Sequence, residues 1–301
     1  MMLVPIGTDA PIYHFPWATI GIMIVNTLMF FGTLGLVPDL ETYERCSFLM
    51  LEFDTINPLQ WVTSNFMHAD IVHLVGNMFF LWGFGLVVEG KLGWWKFLLV
   101  YLGIGLLESA FEQITMFLIS DGTGGALGAS GVIYGIMGMA VIWAPKNEMN
   151  CFLWLGVFSR MVNVTIVVFG SIYIFLQILG FVMGGFSMSS AALHLTGLAV
   201  GLPVGIALLK MDIVDCEGWD YFTEYYASYD ERKLRRSRRR RERQVARDEE
   251  DKAARATQLD QIDKALRDAL VAKNDMAACS LYKKFENESV SYTHLRAHET
   301  P

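Results

Sequence analysis

Residues 128–143 read GASGVIYGIMGMAVIW, and this stretch decides the fold. It is almost wholly apolar, and its glycines recur at intervals of three or four residues: Gly131, Gly135 and Gly138. Small residues at that spacing let membrane helices pack with their backbones close together. A second apolar stretch, residues 191–209, has the same spacing of glycines: Gly197, Gly201 and Gly205. The two stretches therefore predict two transmembrane helices in close contact.

Further stretches of the chain are long and apolar enough to cross a bilayer, which takes about 20 mostly apolar residues. The six predicted spans are residues 17–37, 71–88, 94–112, 126–143, 162–183 and 191–209. Apolar residues make up 53% of the 301 residues and charged residues 18%, whereas soluble domains carry about 25% charged residues. This composition argues against an ordinary soluble enzyme. It predicts an all-α membrane protein, a bundle of six transmembrane helices.

Charge divides the chain near residue 210. Residues 1–210 hold six Lys and Arg, whereas residues 211–301 hold eighteen. We therefore expect a membrane domain over 1–210 and a charged cytoplasmic tail, helical or disordered, over 211–301. Nine Lys or Arg residues fall between Arg232 and Arg243, and this run is either a solvated segment or a patch that binds anionic lipid. Residues 290–301 read as a non-native extension.

The basic residues of the connections predict the orientation, because cytoplasmic loops are enriched in Lys and Arg. Five of the six basic residues of the membrane domain lie near the connections that follow spans two, four and six. They are Lys91, Lys96, Lys146, Arg160 and Lys210. The connections after spans one, three and five hold only Arg45. Both termini are therefore expected in the cytoplasm, and the N-terminus, which is not of the transit type, favours a bacterial plasma membrane. The net charge of −7 gives no sign of nucleic-acid binding.

Four polar side chains are predicted to lie at similar depth in spans two, four and six. They are His73, Asn77, Ser130 and His194. Each falls within the first two turns of a span that enters the bilayer from outside, roughly 4 to 10 Å below the outer edge at 1.5 Å per residue. Polar groups are costly inside a bilayer and are usually functional there. The four side chains can therefore share one site.

Ser130 and His194 are the residue types of an activated nucleophile. Imidazole can take the hydroxyl proton of serine while that oxygen attacks a carbonyl carbon. The resulting tetrahedral intermediate needs hydrogen-bond donors for its oxyanion, and His73, the Asn77 amide and the Ser130 backbone N–H can supply them. The residue set is therefore sufficient for acyl transfer.

A third, acidic member of this unit is hard to place. Glu89 is at the cytoplasmic end of span two, about one membrane thickness, ~30 Å, from the polar layer. We therefore expect a Ser-His dyad in which Tyr134 packs against the His194 ring. The chain contains no H-E-x-x-H metalloprotease motif and no paired intramembrane aspartates, so neither a metal nor a cofactor is expected.

Each candidate residue also has a purely structural interpretation. Ser130 could be a packing serine bonded to its own helix, and Tyr134 a core aromatic residue. His73 and Asn77 could form an interhelical hydrogen-bond pair. The equal depth of Ser130 and His194 favours the catalytic interpretation, and the absence of internal repeats disfavours a transporter.

The motifs together resemble those of the rhomboid family of intramembrane serine proteases. The resemblance covers about residues 15–210 and is carried by Gly128-Ala129-Ser130-Gly131 with Tyr134, His73-Leu74-Val75-Gly76-Asn77-Met78, Gly85 with Glu89, and His194 followed by Gly197 and Gly201. It implies that Ser130 is the nucleophile, His194 the base, and His73 and Asn77 the oxyanion donors. Gly128 belongs to the serine motif, and His68 matches a further histidine near the start of the family's second span.

The resemblance implies an intramembrane serine endopeptidase that cuts single-pass membrane proteins near the outer end of their transmembrane segment. The alternative is a catalytically inactive relative that binds membrane helices. The sequence departs from the family's pattern at two places: Trp61 is followed by Val62 where many members have Trp-Arg, and Leu193 precedes the histidine where alanine is common. Neither departure removes a catalytic atom.

Overall fold

The computed structural model describes residues 2–33, 35, 40–119, 124–155, 158–185, 190–225, 231–272 and 279–283. The chain forms two compact units, residues 1–229 and 230–301. The helices of the first unit are α1 (Trp17–Gly32), α2 (Leu40–Cys46), α3 (Gln60–Thr63), α4 (Ile71–Leu92), α5 (Trp94–Ile119), α6 (Ser130–Trp143), α7 (Ile166–Met183), α8 (Ser190–Lys210) and α9 (Tyr221–Tyr225). Its strands are β1 (Met2–Thr8), β2 (Leu51–Glu52), β3 (Gly125–Ala126), β4 (Glu148–Leu155) and β5 (Phe158–Thr165). Within its described residues, the second unit contains the long helix α10 (Glu231–Val271) and a helical turn at 279–283.

Apolar helices occupy the positions of the predicted spans. Within the described residues, α4, α5, α7 and α8 are long and apolar enough to cross a membrane. Helices α1 and α6 are also apolar but shorter, with 16 and 14 residues. The chain is therefore a mostly helical, multi-pass membrane protein.

Helix α6 begins four residues later than the predicted fourth span. Gly125 and Ala126 instead form β3, which pairs antiparallel with Leu51 and Glu52 of β2. This pairing ties the segment before α6 to the connection between α1 and α4. It supplies hydrogen-bond partners for backbone groups that lie outside a helix, where the chain would otherwise leave them unpaired.

The all-α prediction also misses a three-stranded antiparallel sheet with the order β1-β4-β5. Strand β5 takes up residues that were predicted to begin span five, so α7 begins at Ile166. Residues 162–165 read VNVT, and β-branched residues in alternation favour a strand. Strand β5 pairs antiparallel with β4, the strand before it in the chain, and β4 pairs antiparallel with β1.

Helices α6 and α8 pack backbone to backbone, as the glycine spacing predicts. A Cβ atom on Gly201 would overlap the backbone of Gly135, and one on Gly197 would overlap the Gly131 carbonyl group. At the other end of the contact, Trp143 Nε1 donates to the Gly205 carbonyl oxygen at 3.0 Å. Only glycine leaves room for this approach, which sets the separation between the residues at the start of each helix.

Glu89 joins α4 to the N-terminus of α1. Its buried carboxylate accepts hydrogen bonds from Ala18 N at 2.8 Å, Thr19 N at 2.7 Å and Thr19 Oγ1 at 2.7 Å. Pro16, which precedes the helix, provides no side-chain cap. The carboxylate therefore satisfies backbone N–H groups that the helix cannot pair itself and lies at the positive end of the helix dipole.

Candidate active site

A cavity of about 310 Å³ lies between α4, α6, α7 and α8. Five of the residues singled out from the sequence line it: His73, Asn77, Ser130, Tyr134 and His194. The rest of the lining is largely apolar or aromatic and includes Phe80, Phe84, Met137 and Tyr173. Polar groups therefore meet at one wall of a mainly apolar recess.

Ser130 is the first residue of α6, and Gly128 prepares its position. The backbone of Gly128 has φ +123°, and a Cβ atom there would lie 2.7 Å from His73 Cε1. Glycine thus meets two requirements, the backbone conformation and the close approach of the imidazole ring. The first N–H groups of α6 have no partner within the helix, and the dipole is positive at that end. An anion beside Ser130 is therefore favoured.

His73 and Asn77 project from the first turns of α4. Asp70 caps this helix, because its carboxylate accepts from Val72 N at 2.8 Å and His73 N at 2.9 Å. The cap fixes the point at which the helix begins. Because the two residues are four apart, both side chains then lie on the same face of α4, and both line the cavity.

His68, which precedes α4 in the chain, holds the Asn77 side chain. Asn77 Nδ2 lies 2.9 Å from His68 Nε2, and the His68 and His73 rings meet edge to face with centroids 5.0 Å apart. An amide nitrogen can only donate, so His68 Nε2 accepts. Burial lowers the pKa of His68 to about 4, and the neighbouring His73 adds to this effect. His68 is therefore neutral at pH 7 and able to accept.

Ser130 and His194 line the cavity from α6 and α8, beside the close contact of Gly131 with Gly197. Among the described residues, their side chains are not hydrogen-bonded to each other. His194 Nε2 instead lies 3.4 Å from Ser190 Oγ, one helical turn earlier in α8. That contact is long for a hydrogen bond, and catalytic hydrogen bonds often tighten only when substrate is bound.

The His194 ring is fixed by two other contacts. Tyr134 stacks on it, with ring centroids 4.5 Å apart and an interplanar angle of 12°. Nδ1 of His194 lies 3.0 Å from Gln177 Oε1, and Gln177 Nε2 donates to the Tyr134 hydroxyl oxygen at 2.7 Å. Three side chains from α6, α7 and α8 therefore form one connected group.

Sequence reasoning missed Gln177. It is the one amide side chain of α7, a largely apolar helix, so the rule that polar groups in a bilayer are usually functional applies to it as it does to Asn77. That rule could have placed Gln177 among the candidates. It could not have identified its partners, because these depend on how α7 packs against α6 and α8.

Sequence reasoning also missed two buried carboxyl groups on α5. Glu108 and Glu112 are 3% and 4% exposed. The Glu108 carboxyl group lies where Gly131 and Gly197 have no side chain. Within the part of the chain that is described, Glu108 Oε2 and Glu112 Oε1 have no hydrogen-bond partner. These groups support the first turn of α6 from the side of α5.

The connection between α1 and α4 is anchored by Gln113 of α5. Trp61 Nε1 donates to Gln113 Oε1 at 2.6 Å, and Asn57 N donates to the same oxygen at 3.0 Å. Gln113 Nε2 in turn donates to the Glu52 carbonyl oxygen at 2.8 Å. Trp61, which lacks an arginine beside it in the sequence, therefore has an amide partner on a neighbouring helix.

No group of three or more His, Cys, Asp or Glu side chains is arranged to hold a metal ion within the residues that the structure describes. The polar groups of the cavity are a hydroxyl, imidazoles and amides. Such groups can exchange protons and donate hydrogen bonds.

The model of a known family, the Rhomboid domain, matches residues 57–211. The matched segment runs from α3 to the end of α8. It includes every residue that lines the polar wall of the cavity. It also includes Ser190 and Gln177, which contact His194. It ends before α9 and α10.

Several curated proteins are similar to slightly less than half of the chain. Presenilin-associated rhomboid-like protein, mitochondrial, of Mus musculus is 29% identical over 145 residues, which cover 46% of this chain and 36% of the relative. Rhomboid-like protease 2 of Toxoplasma gondii is 28% identical over 148 residues, covering 48% and 45%. Rhomboid-like protein 11, chloroplastic, of Arabidopsis thaliana is 28% identical over 148 residues, covering 48% and 50%.

The chain spans half or less of the length of these curated relatives. Two of their names place those proteins in mitochondria or chloroplasts. The prediction of a bacterial plasma membrane does not fit these names. What the comparisons support is membership of a family of multi-pass membrane proteins.

Proposed function

Because the chain belongs to the rhomboid family, we propose that it is an intramembrane serine endopeptidase. The observation that carries the proposal is the single cavity that Ser130, His194, His73 and Asn77 share. These residues come from three helices, and a nucleophile, a base and oxyanion donors are the groups that acyl transfer needs.

In the first half of the reaction, Ser130 Oγ attacks the scissile carbonyl carbon and its proton passes to His194 Nε2. The weak contact of Nε2 with Ser190 gives way to one with Ser130. The tetrahedral intermediate collapses as His194 returns the proton to the leaving amine nitrogen, which breaks the peptide bond. An ester between Ser130 and the acyl part of the substrate remains.

The oxyanion of the intermediate is stabilised at the N-terminus of α6. The proposed donors are His73, the second N–H of the Asn77 amide and the Ser130 backbone N–H. One such donor contributes about 2.7 to 4 kcal/mol to the transition state in a well-studied serine protease. In the second half of the reaction, water attacks the ester carbonyl carbon while His194 takes its proton. The ester bond then breaks as His194 gives this proton to Ser130 Oγ, and the acyl part leaves as a carboxylic acid.

We further propose a single-pass transmembrane protein as the substrate, cut near its outer end. The polar wall of the cavity lies at the starts of α4, α6 and α8, which the charge pattern puts on the outer side. A helical substrate must unwind locally before its carbonyl carbon can reach Ser130. Residues with low helix propensity near the cut site should therefore favour cleavage.

The proposed topology has six spans and both termini in the cytoplasm. The count includes the short helices α1 and α6, because α1 packs against α4 and α6 packs against α8. Exposed tryptophans at the starts of α1 and α5 support a membrane boundary at these two helix ends: Trp17, Trp94 and Trp95 are 65%, 56% and 52% exposed. Tryptophan is enriched at membrane interfaces, and both helix starts are on the side that carries Lys91 and Lys96.

Ser190 contacts His194, whereas Ser130 lines the cavity with it, so alanine variants of the two serines test which of them is the nucleophile. The protein is purified in detergent and mixed with a fluorescent single-span substrate. We expect Ser130→Ala and His194→Ala to abolish cleavage, because members of such a unit act together. Ser190→Ala, the matched control, should retain activity within about twofold, less than ~0.5 kcal/mol. Equal cleavage by wild type and Ser130→Ala would exclude the mechanism.

A second candidate function is that of a catalytically inactive protein that binds membrane helices. The missing hydrogen bond between Ser130 and His194 favours it. A fluorophosphonate probe separates the two, since it labels an activated serine. Binding of a substrate span without labelling or cleavage would support the second candidate.

We also propose anionic lipid as a partner of the segment from Arg232 to Arg243. Nine of its twelve residues are basic, and they lie in the first turns of α10. Positive charges at a helix N-terminus oppose the helix dipole, and like charges four residues apart repel each other. An anionic bilayer surface would compensate both effects, by about 1 kcal/mol per basic residue.

A further inference from the structure

Gln177 contacts both side chains that hold the catalytic base. Its Oε1 lies 3.0 Å from His194 Nδ1, and its Nε2 donates to the Tyr134 hydroxyl oxygen at 2.7 Å. The two ends of one amide thus contact two different partners. The Tyr134 contact uses the nitrogen end, which leaves the oxygen end for the imidazole.

This orientation determines where the proton of the neutral imidazole lies. An amide oxygen can only accept, so His194 Nδ1 carries the proton and Nε2 carries the lone pair. Nε2 is the nitrogen that must take the proton of Ser130. The opposite tautomer would present an N–H to the serine and could not act as a base.

The ring is also held in place mechanically. Tyr134 stacks on its face at 4.5 Å, which restricts tilting, whereas the Gln177 contact restricts rotation within the ring plane. Together the two contacts leave His194 little freedom. Orientation of the base by a third group is a general feature of activated nucleophiles.

We propose that Gln177 is a positioning residue that extends the dyad to a Ser-His-Gln unit, an inference that rests on the proposed function. An amide suits this location because it is never charged. A buried carboxylate would carry a large desolvation cost within the bilayer. Gln177 belongs to α7, so the unit is complete only while α7 packs against α6 and α8.

The test combines nuclear magnetic resonance with kinetics. Protein labelled with ¹⁵N in histidine is prepared as wild type and as Gln177→Leu, and the His194 signals are assigned by their absence from His194→Ala. We expect wild type to show protonated Nδ1 and unprotonated Nε2. In Gln177→Leu we expect a mixture of tautomers, with kcat lower by about 10- to 100-fold, or about 1.4 to 2.7 kcal/mol, and KM within about twofold.

Two further variants make the result specific. Tyr134→Phe keeps the ring stack but removes the hydroxyl group, so Gln177 loses one anchor and kcat should fall only a few-fold. Ile178→Leu changes the adjacent, 46% exposed residue of α7 and should match wild type. If Gln177→Leu fails to fold, as judged by circular dichroism, Tyr134→Phe supplies the comparison.

Other outcomes overturn the inference. It is wrong if wild type shows protonated Nε2 on His194, or if Gln177→Leu retains the wild-type tautomer and kcat. Failure of the proposed function is recognised separately. In that case wild type does not cleave substrate at all, while the tautomer measurement still tests whether Gln177 orients the ring.

Discussion

His68 shows how one residue outside the spans controls a group inside the site. It is fully buried and accepts from the Asn77 amide, so it has to remain neutral. Burial keeps the imidazole neutral by lowering its pKa to about 4. The same burial makes the folded protein sensitive to acid. The resemblance assigned His68 only a place near the second span, and its contact with Asn77 gives it a physical role.

The stability of the protein should fall as the pH is lowered through the titration range of His68. Between the ordinary pKa near 6.5 and about 4, the unfolded chain binds a proton that the folded chain does not. Each pH unit in this window removes about 1.4 kcal/mol, so about 3 kcal/mol is lost in all. Thermal unfolding in detergent, followed by tryptophan fluorescence, measures this effect.

The variant His68→Gln keeps a hydrogen-bond acceptor but cannot be protonated in this range. Its unfolding temperature should fall less than that of wild type between pH 7 and pH 4. Other groups also titrate there, so the difference between the two proteins is the quantity of interest. Parallel curves would show that His68 does not carry the effect.

At the scale of elements, the contact of α6 with α8 determines the geometry of the site. Gly135 and Gly201 bring the backbones together, and Ser130 and His194 lie at the starts of the two helices. A small change in the separation of the helices moves the hydroxyl group relative to the imidazole. The glycines are therefore part of the catalytic arrangement, although none contributes a functional side chain.

Gly201→Ala should separate the helices and lower both stability and activity. Alanine at a helical position is intrinsically better than glycine by about 1 kcal/mol, but here its Cβ atom overlaps the Gly135 backbone. Overpacking of this kind costs about 1 to 3 kcal/mol. Thermal unfolding and substrate cleavage measure the two effects.

Gly103→Ala is the matched control, because a Cβ atom at Gly103 of α5 meets nothing within 4 Å. It should retain activity and equal or exceed the stability of wild type. If Gly201→Ala and Gly103→Ala have the same stability and activity, Gly201 is not required for the close packing of α6 against α8.

At the scale of the whole molecule, the membrane unit and the tail differ in the physical forces that act on them. The first unit has a large apolar core, whereas α10 is rich in charge along its length. The boundary between the two units, at residue 229, comes after Lys210, where the apolar helix α8 ends. Burial of apolar surface in the bilayer stabilises the first unit, whereas electrostatic interactions dominate in the second.

The tail should be protected from trypsin when the protein is reconstituted with anionic lipid. Full-length protein is placed in vesicles with or without phosphatidylglycerol, and cleavage between Arg232 and Arg243 is followed by mass spectrometry. We expect slower cleavage on anionic vesicles and a return to the faster rate at high salt, because screening weakens surface attraction. Equal rates on both vesicle types would contradict lipid binding.

Deleting residues from Asp230 onward then shows whether this contact affects catalysis. If the tail only binds lipid, the shortened protein should cleave substrate as wild type does in neutral vesicles. A difference confined to anionic vesicles would connect the tail to activity.

The sequence alone determined the membrane class, the approximate positions of the apolar helices and the pairing of α6 with α8. These features depend on properties that add up along the chain. The length of an apolar run fixes the free energy of burial in lipid, and glycine spacing fixes one face of a helix. The prediction that Ser130, His194, His73 and Asn77 lie at one depth follows from the same count of residues per turn.

Only the tertiary structure decided which atoms meet. The two sheets, the capping of α1 by Glu89 and the contacts of His194 with Gln177 and Ser190 join segments that are far apart or depend on a rotamer. A hydrogen bond forms or fails over less than 1 Å, a distance much smaller than the uncertainty of any sequence pattern. Gln177 was therefore visible in the sequence as a polar residue in an apolar span, but its role depends on the packing of α7 beside the histidine.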